Sequence, residues 1–167
     1  VPENCAHHLV EAWRRLDTDL KCVIVGDAPY AEAYKAELRR LAGDDPRIIF
    51  TGYIFGEGYW ELNSHAYAFV ETSGVGGTHP ALVEAMAFGN CVVVYNTPEN
   101  LETVDAAGLW YDGAAGAASL TPALRTLLDA PPLVETYRQA AAQRAAAVYS
   151  WEAVTDAYEA LFARTLA

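Results

Sequence analysis

Short, continuous apolar runs that alternate with helical patterns constrain the fold of this chain more than any other feature. The runs are rich in β-branched or aromatic residues and cover Lys21–Val25, Arg47–Thr51, Ala66–Val70, Cys91–Tyr95 and Leu109–Tyr111. Because they do not alternate with polar residues, they are typical of strands buried on both faces of a parallel sheet. The intervening patterns predict helices at Glu3–Leu16, Ala31–Leu41, Gly58–Ser64, Pro80–Phe88 and Glu99–Val104. Together they predict a Rossmann-like, doubly wound α/β sheet, whose ligands collect at the carboxyl ends of its strands.

The chain becomes helical after Asp112. Three further helical patterns follow, at Ser119–Asp129, Pro132–Val148 and Trp151–Leu166. Ser150 is a predicted N-cap for the last of them. That helix carries an apolar stripe made of Trp151, Val154, Tyr158, Leu161 and Phe162. We expect residues 1–167 to form one domain with the helices of 119–167 packed on it and the stripe facing the sheet, since amphipathic helices are ordinarily half core. The alternative is a helix that binds a partner.

The beginning of the chain predicts an incomplete sheet. A helical pattern starts at once, with Pro2 and Glu3 in positions that a helix N-terminus favours. In a doubly wound sheet of strand order 3-2-1-4-5-6, a central strand precedes this helix. We therefore expect the first central strand to be missing from these residues, which then form part of a longer polypeptide.

The stretch from Ser73 to Gly89 is the main candidate for a ligand site. It contains four glycines, the helix start Thr78–Pro80 and the acid Glu84, and it lies between two apolar runs. Glycines let a backbone approach a ligand closely, and a helix N-terminus suits a phosphate group. Glu84, about one turn inside the helix, can accept hydrogen bonds from ribose hydroxyls; the alternative is a charge stabilised by the helix dipole. The pattern indicates a nucleotide or nucleotide-sugar site.

Composition excludes other classes of partner. The net charge of −11 leaves no basic stripe for a nucleic acid or an anionic membrane surface. The three cysteines are widely spaced, which favours reduced thiols in a cytoplasmic protein over disulfides. No zinc-type spacing of Cys and His occurs, and no apolar stretch approaches the length of a membrane span.

Taken in order, several motifs resemble the C-terminal domain of family 4 glycosyltransferases, which have the GT-B fold of two Rossmann-like domains. The motifs are Pro2–Asn4, Val23–Pro29, Ile49–Tyr53, Gly77–Gly89 and Tyr149–Trp151. The resemblance extends to rhamnosyltransferase-like members of bacterial surface-polysaccharide synthesis. It implies retaining transfer of a sugar from a UDP-, GDP- or dTDP-sugar, without a cofactor or an obligatory metal. It also implies that an N-terminal domain, absent from these residues, binds the glycan or lipid-linked acceptor and provides any peripheral membrane association. This chain alone should therefore transfer no sugar.

The same resemblance implies a set of donor-binding residues and names no catalytic residue. Glu84 matches the second glutamate of the family's pair and would bind ribose. The N–H groups of Thr78–Leu82 would face the diphosphate, and the backbone of the turn that begins at Gly52 would read the base. The full predicted set is Gly26, Gly52, Tyr53, Ile54, Gly76, Gly77, Thr78, His79, Ala81, Leu82 and Glu84.

Two positions depart from the family pattern. Gly76 stands where the first glutamate of the pair normally contacts the donor sugar, and His79 is a candidate substitute, although it could also be an exposed helix cap. Asn4 stands where the family usually has a lysine. Rival interpretations are a GT-B epimerase or phosphorylase and, because of Gly76, a non-catalytic nucleotide-binding or regulatory module. A set of aromatic residues is a candidate stacking wall for the base or sugar, and packing in the core or at its rim is the alternative. The set is Tyr30, Tyr34, Tyr53, Tyr59 and Trp60.

Overall fold

A computed structural model describes residues 1–166 and shows an α/β fold of parallel strands covered by helices. The strands are β1 (Cys22–Val25), β2 (Ile48–Gly52), β3 (Phe69–Glu71), β4 (Val92–Tyr95) and β5 (Leu109–Tyr111). The helices are α1 (Ala6–Trp13), α2 (Glu32–Ala42), α3 (Glu57–His65), α4 (Pro80–Ala87), α5 (Pro98–Val104), α6 (Ala117–Asp129), α7 (Pro131–Val148) and α8 (Trp151–Thr165). Two short 3-10 turns cover Pro2–Asn4 and Asp105–Ala107. The predicted α/β class is confirmed.

The strands form two parallel sheets rather than one. In the first, β1 pairs with β2, with Cys22 opposite Ile48. In the second, β4 lies between β3 and β5, with Val93 opposite Val70 and Leu109. Within residues 1–166, no strand is hydrogen-bonded between β1 and β3. The gap therefore falls where the sequence predicts that a central strand is missing.

The side chains of β4 explain why its run of apolar residues is continuous. Val93 belongs to a core cluster with buried residues of α1, α2 and α6. Val92 and Val94 point to the other face, where they pack with Leu82 of α4 and Ala141 of α7. Because both faces are covered by helices, no position in the strand favours a polar residue. Tyr95, the last residue of this strand, lies against the loops that contain Gly74 and Gly113.

The prediction of one continuous helix over Glu3–Leu16 is wrong. Cys5 adopts a left-handed conformation, with φ of 48°, and α1 begins only after it. The carbonyl of Glu3 accepts a hydrogen bond from Gly74 N at 3.1 Å, and that of Asn4 accepts one from Thr72 Oγ1 at 2.5 Å. These carbonyls thus bind the segment between β3 and α4 instead of the next helical turn.

The expectation that the stripe of the last helix faces the sheet is also wrong. Helices α6 and α7 do pack on the domain, but every residue of α8 is at least partly exposed, and Trp151 is 84% exposed. The predicted cap is confirmed, because Ser150 Oγ accepts a hydrogen bond from Ala153 N at 3.1 Å. Helices α1, α2 and α6 cover one face of the sheets, and α4 and α7 cover the other. No face of the sheets therefore remains for the stripe of α8.

Candidate functional site

The loop between β3 and α4 brings exposed backbone to the start of a helix. Gly76 has φ of 113°, and Gly77 has no atom within 4 Å of the position of a Cβ. His79 is the N-cap residue of α4, and Pro80 occupies the first turn, where its missing N–H costs nothing. The His79 carbonyl accepts hydrogen bonds from Leu82 N at 3.1 Å and Val83 N at 3.2 Å. The N-terminus of α4 is therefore preceded by open backbone that a ligand can approach.

Gly76 and His79 form a pair. A Cβ built on Gly76 would lie 3.1 Å from Cε1 of the His79 ring. The ring therefore occupies the space beside Gly76 into which a side chain would otherwise project. Since L side chains rarely adopt such a positive φ, a glutamate would be strained in this loop conformation. The departure from the family pattern at Gly76 thus coincides with a backbone conformation that favours glycine.

Glu84 is exposed on α4, and its carboxylate has one direct partner in α3. The Tyr59 hydroxyl donates a hydrogen bond to Glu84 Oε2 at 2.5 Å. Partial burial, followed by the bond to the carboxylate, raises the pKa of Tyr59 to about 12. The phenol therefore stays protonated at neutral pH and remains a donor.

A second group of predicted residues lies at the carboxyl ends of β1 and β2. Gly26 N donates to Gly52 O at 2.8 Å, and both glycines have positive φ, 114° and 68°. The exposed Tyr53 ring stacks on Phe55, with ring centroids 5.9 Å apart. A cavity of about 250 Å³ reaches Gly26 and Gly52 and is also lined by Lys35. This cavity does not include the loop at Gly76–His79.

The sequence did not indicate the residues that support the glycine loop. The ring of Tyr95, at the end of β4, lies against Gly74, where a Cβ would be 3.2 Å from Cε2. The same ring would clash with any side chain at Gly113, whose Cβ would be 1.9 Å from Cζ. From the other side, buried Asn100 donates to Ser73 O at 3.3 Å and to Tyr95 O at 3.1 Å. Only the position of Tyr95 at a strand's carboxyl end could have indicated this role.

The structure separates the predicted residues into two groups joined through α3. Residues 76–84 follow β3, whereas residues 26 and 52–54 lie at the carboxyl ends of β1 and β2. Leu82 is the least accessible predicted residue, because its side chain is fully buried and its N–H already donates to His79. Two of the aromatic residues predicted for a stacking wall have hydroxyl partners on different elements: Tyr34 bonds to His7 of α1 at 2.9 Å, and Tyr59 bonds to Glu84 of α4.

Neither a metal cluster nor a membrane helix emerges from residues 1–166. No three His, Cys, Asp or Glu side chains of this described part are close enough together to hold a metal ion. No helix in the same range has the length and apolar character needed to span a bilayer.

Comparison with a family model described as "Glycosyl transferases group 1" gives a match over residues 2–130. A comparison with curated protein sequences gives no match.

Comparison with solved structures gives similar folds at low identity. Sucrose-phosphate synthase from Thermosynechococcus elongatus is 23% identical, with a TM-score of 0.81 over 98% of this chain and 44% of that chain. Anabaena HepE in complex with UDP-glucose is 22% identical, with a TM-score of 0.82 over 99% of this chain and 46% of that chain. The C-terminal domain of LpcC, a glycosyl transferase group 1 family protein from Francisella tularensis, is 20% identical, with a TM-score of 0.79 over 90% of this chain and 82% of that one. The chain thus spans less than half of the first two structures and most of the third, a single C-terminal domain.

Proposed function

The chain belongs to the group 1 glycosyltransferases, and we propose that it binds the nucleotide diphosphate-sugar donor of a sugar transfer reaction. The observation that carries the proposal is the placement of Glu84 one turn inside α4, directly after the open loop at Gly76–Gly77. A diphosphate at this N-terminus would meet backbone N–H groups and the positive end of the helix dipole. The Glu84 carboxylate would then accept hydrogen bonds from the ribose hydroxyls.

The proposed reaction retains the configuration of the anomeric carbon. The bond from that carbon to the diphosphate oxygen breaks, and the oxygen of an acceptor hydroxyl bonds to the carbon on the same face. The proton of that hydroxyl passes to the departing diphosphate. A helix N-terminus supplies positive charge without a metal, so we propose that no metal ion is obligatory. The acceptor would be a glycan or a lipid-linked acceptor of surface polysaccharide synthesis, bound outside these residues. The protein would be cytoplasmic, and any peripheral association with the membrane would depend on the part that binds the acceptor.

The base would bind at the other group of residues. The Gly52–Ile54 turn begins at the last residue of β2. Its backbone is open at Gly52, where no atom lies within 4 Å of the position that a Cβ would take. Backbone groups there can hydrogen-bond a base edge, and the exposed Tyr53 ring offers an aromatic surface beside it. HepE, whose structure contains UDP-glucose, shares this fold and so supports the proposal.

Glu84→Ala tests the proposed ribose contact. A hydrogen bond to a charged group contributes about 1.5–3 kcal/mol, so the affinity for UDP, GDP or dTDP should fall about tenfold or more. Isothermal titration calorimetry measures the change. The matched control is Glu159→Ala, which removes the same charge from an exposed position on α8. Unchanged affinity in Glu84→Ala would remove this residue from the site.

For the donor sugar we propose a deoxysugar of the rhamnose type. Gly76 provides no carboxylate to accept bonds from sugar hydroxyls, and the His79 ring fills the adjacent space. An apolar site discriminates between sugars by only about 1–3 kcal/mol, so we expect modest preference for the deoxysugar. A panel of nucleotide-hexoses and nucleotide-deoxyhexoses, assayed on the full-length protein as wild type and as His79→Ala, measures it. Strong preference for a fully hydroxylated hexose that His79→Ala leaves undiminished would contradict the proposal.

A non-catalytic nucleotide-binding module is the second candidate, favoured by the absence of an acid at Gly76. The same donor panel separates the two functions. Nucleotide binding that depends on Glu84, together with neither transfer nor donor hydrolysis, would favour the module. Turnover of any donor in the panel would favour the transferase.

A further inference from the structure

The partner of Glu84 lies on a different element from the glycine loop. Tyr59 belongs to the first turn of α3, which begins just after the turn at Gly52–Ile54. Its hydroxyl reaches α4 and donates to Glu84 Oε2 at 2.5 Å. Tyr59 is half-buried, and Asn63, also in α3, donates to its backbone carbonyl at 3.1 Å. The Asn63 bond fixes the backbone of this helical turn, and the phenol projects from it to the carboxylate on α4.

This contact changes what the carboxylate can do. An exposed glutamate on a helix samples several rotamers, and binding a ligand in one of them costs side-chain entropy. The Tyr59 bond fixes Oε2 and leaves Oε1 without a bonded partner among the described residues. A carboxylate oxygen accepts more than one hydrogen bond, so the fixed group can still receive both ribose hydroxyls.

We propose that Tyr59 is a positioning residue for ribose recognition: it holds the Glu84 carboxylate in the orientation that accepts the ribose hydroxyls. The inference deepens the proposed function and rests on it. Because α3 follows the turn proposed to read the base, the bond also joins the base and ribose parts of the site. Tyr59 acts through Glu84 and makes no contact with the reacting atoms.

Tyr59→Phe tests the proposal, because it removes the hydroxyl and keeps the ring. The probe is whichever of UDP and GDP binds more tightly, because both carry a full ribose, and it is compared with its 2′,3′-dideoxy analogue. The variant loses the stabilising hydrogen bond to Glu84, so binding of the parent nucleotide should weaken about three- to tenfold. Binding of the analogue should change little, so the preference for the hydroxylated nucleotide falls. Tyr158→Phe, on exposed α8, is the control and should leave both affinities unchanged.

The Glu84→Ala background separates this inference from the proposed function. If Tyr59 acts through Glu84, then Tyr59→Phe in that background should change affinity by less than about twofold. Equal weakening of the parent nucleotide and the analogue would indicate a general structural role and overturn the proposal. Tighter binding in Tyr59→Phe would mean that the phenol competes with ribose, and would also overturn it. If Glu84→Ala itself leaves affinity unchanged, the proposed ribose site fails as well.

Discussion

Gly76 and His79 share one small space, and the backbone conformation decides which of them can fill it. With φ of 113°, Gly76 adopts a conformation that is open to glycine and strained for other residues. The His79 ring then packs where a side chain on Gly76 would lie. The family's glutamate at this position would therefore require a different loop conformation and a different place for His79. The proposed recognition of a donor sugar has to be explained by the loop that is present.

Gly76→Ala measures the strain in that loop. The methyl group would meet the His79 ring, and the positive φ disfavours alanine, so the free energy of unfolding should fall by about 1–3 kcal/mol. Gly77→Ala is the matched control, because Gly77 has open space around its Cβ position and is not in the positive-φ region. Its effect should stay within about 0.5 kcal/mol. Chemical denaturation followed by circular dichroism gives both values, and equal losses would contradict the loop geometry.

Among the described α-helices, α8 is the one without any buried residue. Leu161 and Phe162 are 45% and 59% exposed, whereas Leu127 of α6 is 1% exposed. The double variant Leu161→Ala, Phe162→Ala keeps helix propensity and should change the free energy of unfolding of this domain by no more than about 0.5 kcal/mol per residue. Leu127→Ala should cost about 2–5 kcal/mol. Urea denaturation measures both changes. If the double variant lost as much unfolding free energy as Leu127→Ala, α8 would have to pack on the domain in solution.

The strands and helices were predictable because each depends on local pattern. The run at Leu109–Tyr111 is a strand with the predicted bounds, and the Ser150 cap forms through a neighbour three residues away. The break at Cys5 was not predictable, because it depends on bonds to a loop about seventy positions further along the chain. The outward face of α8 was not predictable either, since the same stripe suits a buried and an exposed helix.

The candidate site likewise contains features set by local sequence and features set by contacts between distant residues. The glycine loop, the helix start and Glu84 are contiguous, so a sequence pattern could indicate them. The bond between Tyr59 and Glu84 joins residues on two helices, and no periodicity connects them. The support that Tyr95 and Asn100 give the loop likewise depends on the fold that brings strand ends together. The sequence therefore indicated candidate ligand-binding groups, whereas the groups that hold them in place appear only in the folded structure.

In the molecule as a whole, the two sheets are held together by helices and by the N-terminal segment. Helix α1 packs against α2 beside the first sheet and against α6 beside the second. The carbonyls of Glu3 and Asn4 bind the segment after β3, close to the gap between the sheets. The loop that precedes α4 is thus fixed at the carboxyl ends of the strands, which is where ligands bind in α/β folds of this type.

We propose above all that a nucleotide diphosphate binds at this loop and at the start of α4. The most direct measurement is a titration of the isotope-labelled protein with UDP, GDP and dTDP, followed through its assigned backbone amide resonances. We expect the largest shifts at Gly76–Glu84 and at Gly52–Ile54, with at least one of the three nucleotides. Shifts confined to the cavity beside Lys35, or no shift with any of the nucleotides at millimolar concentration, would contradict it.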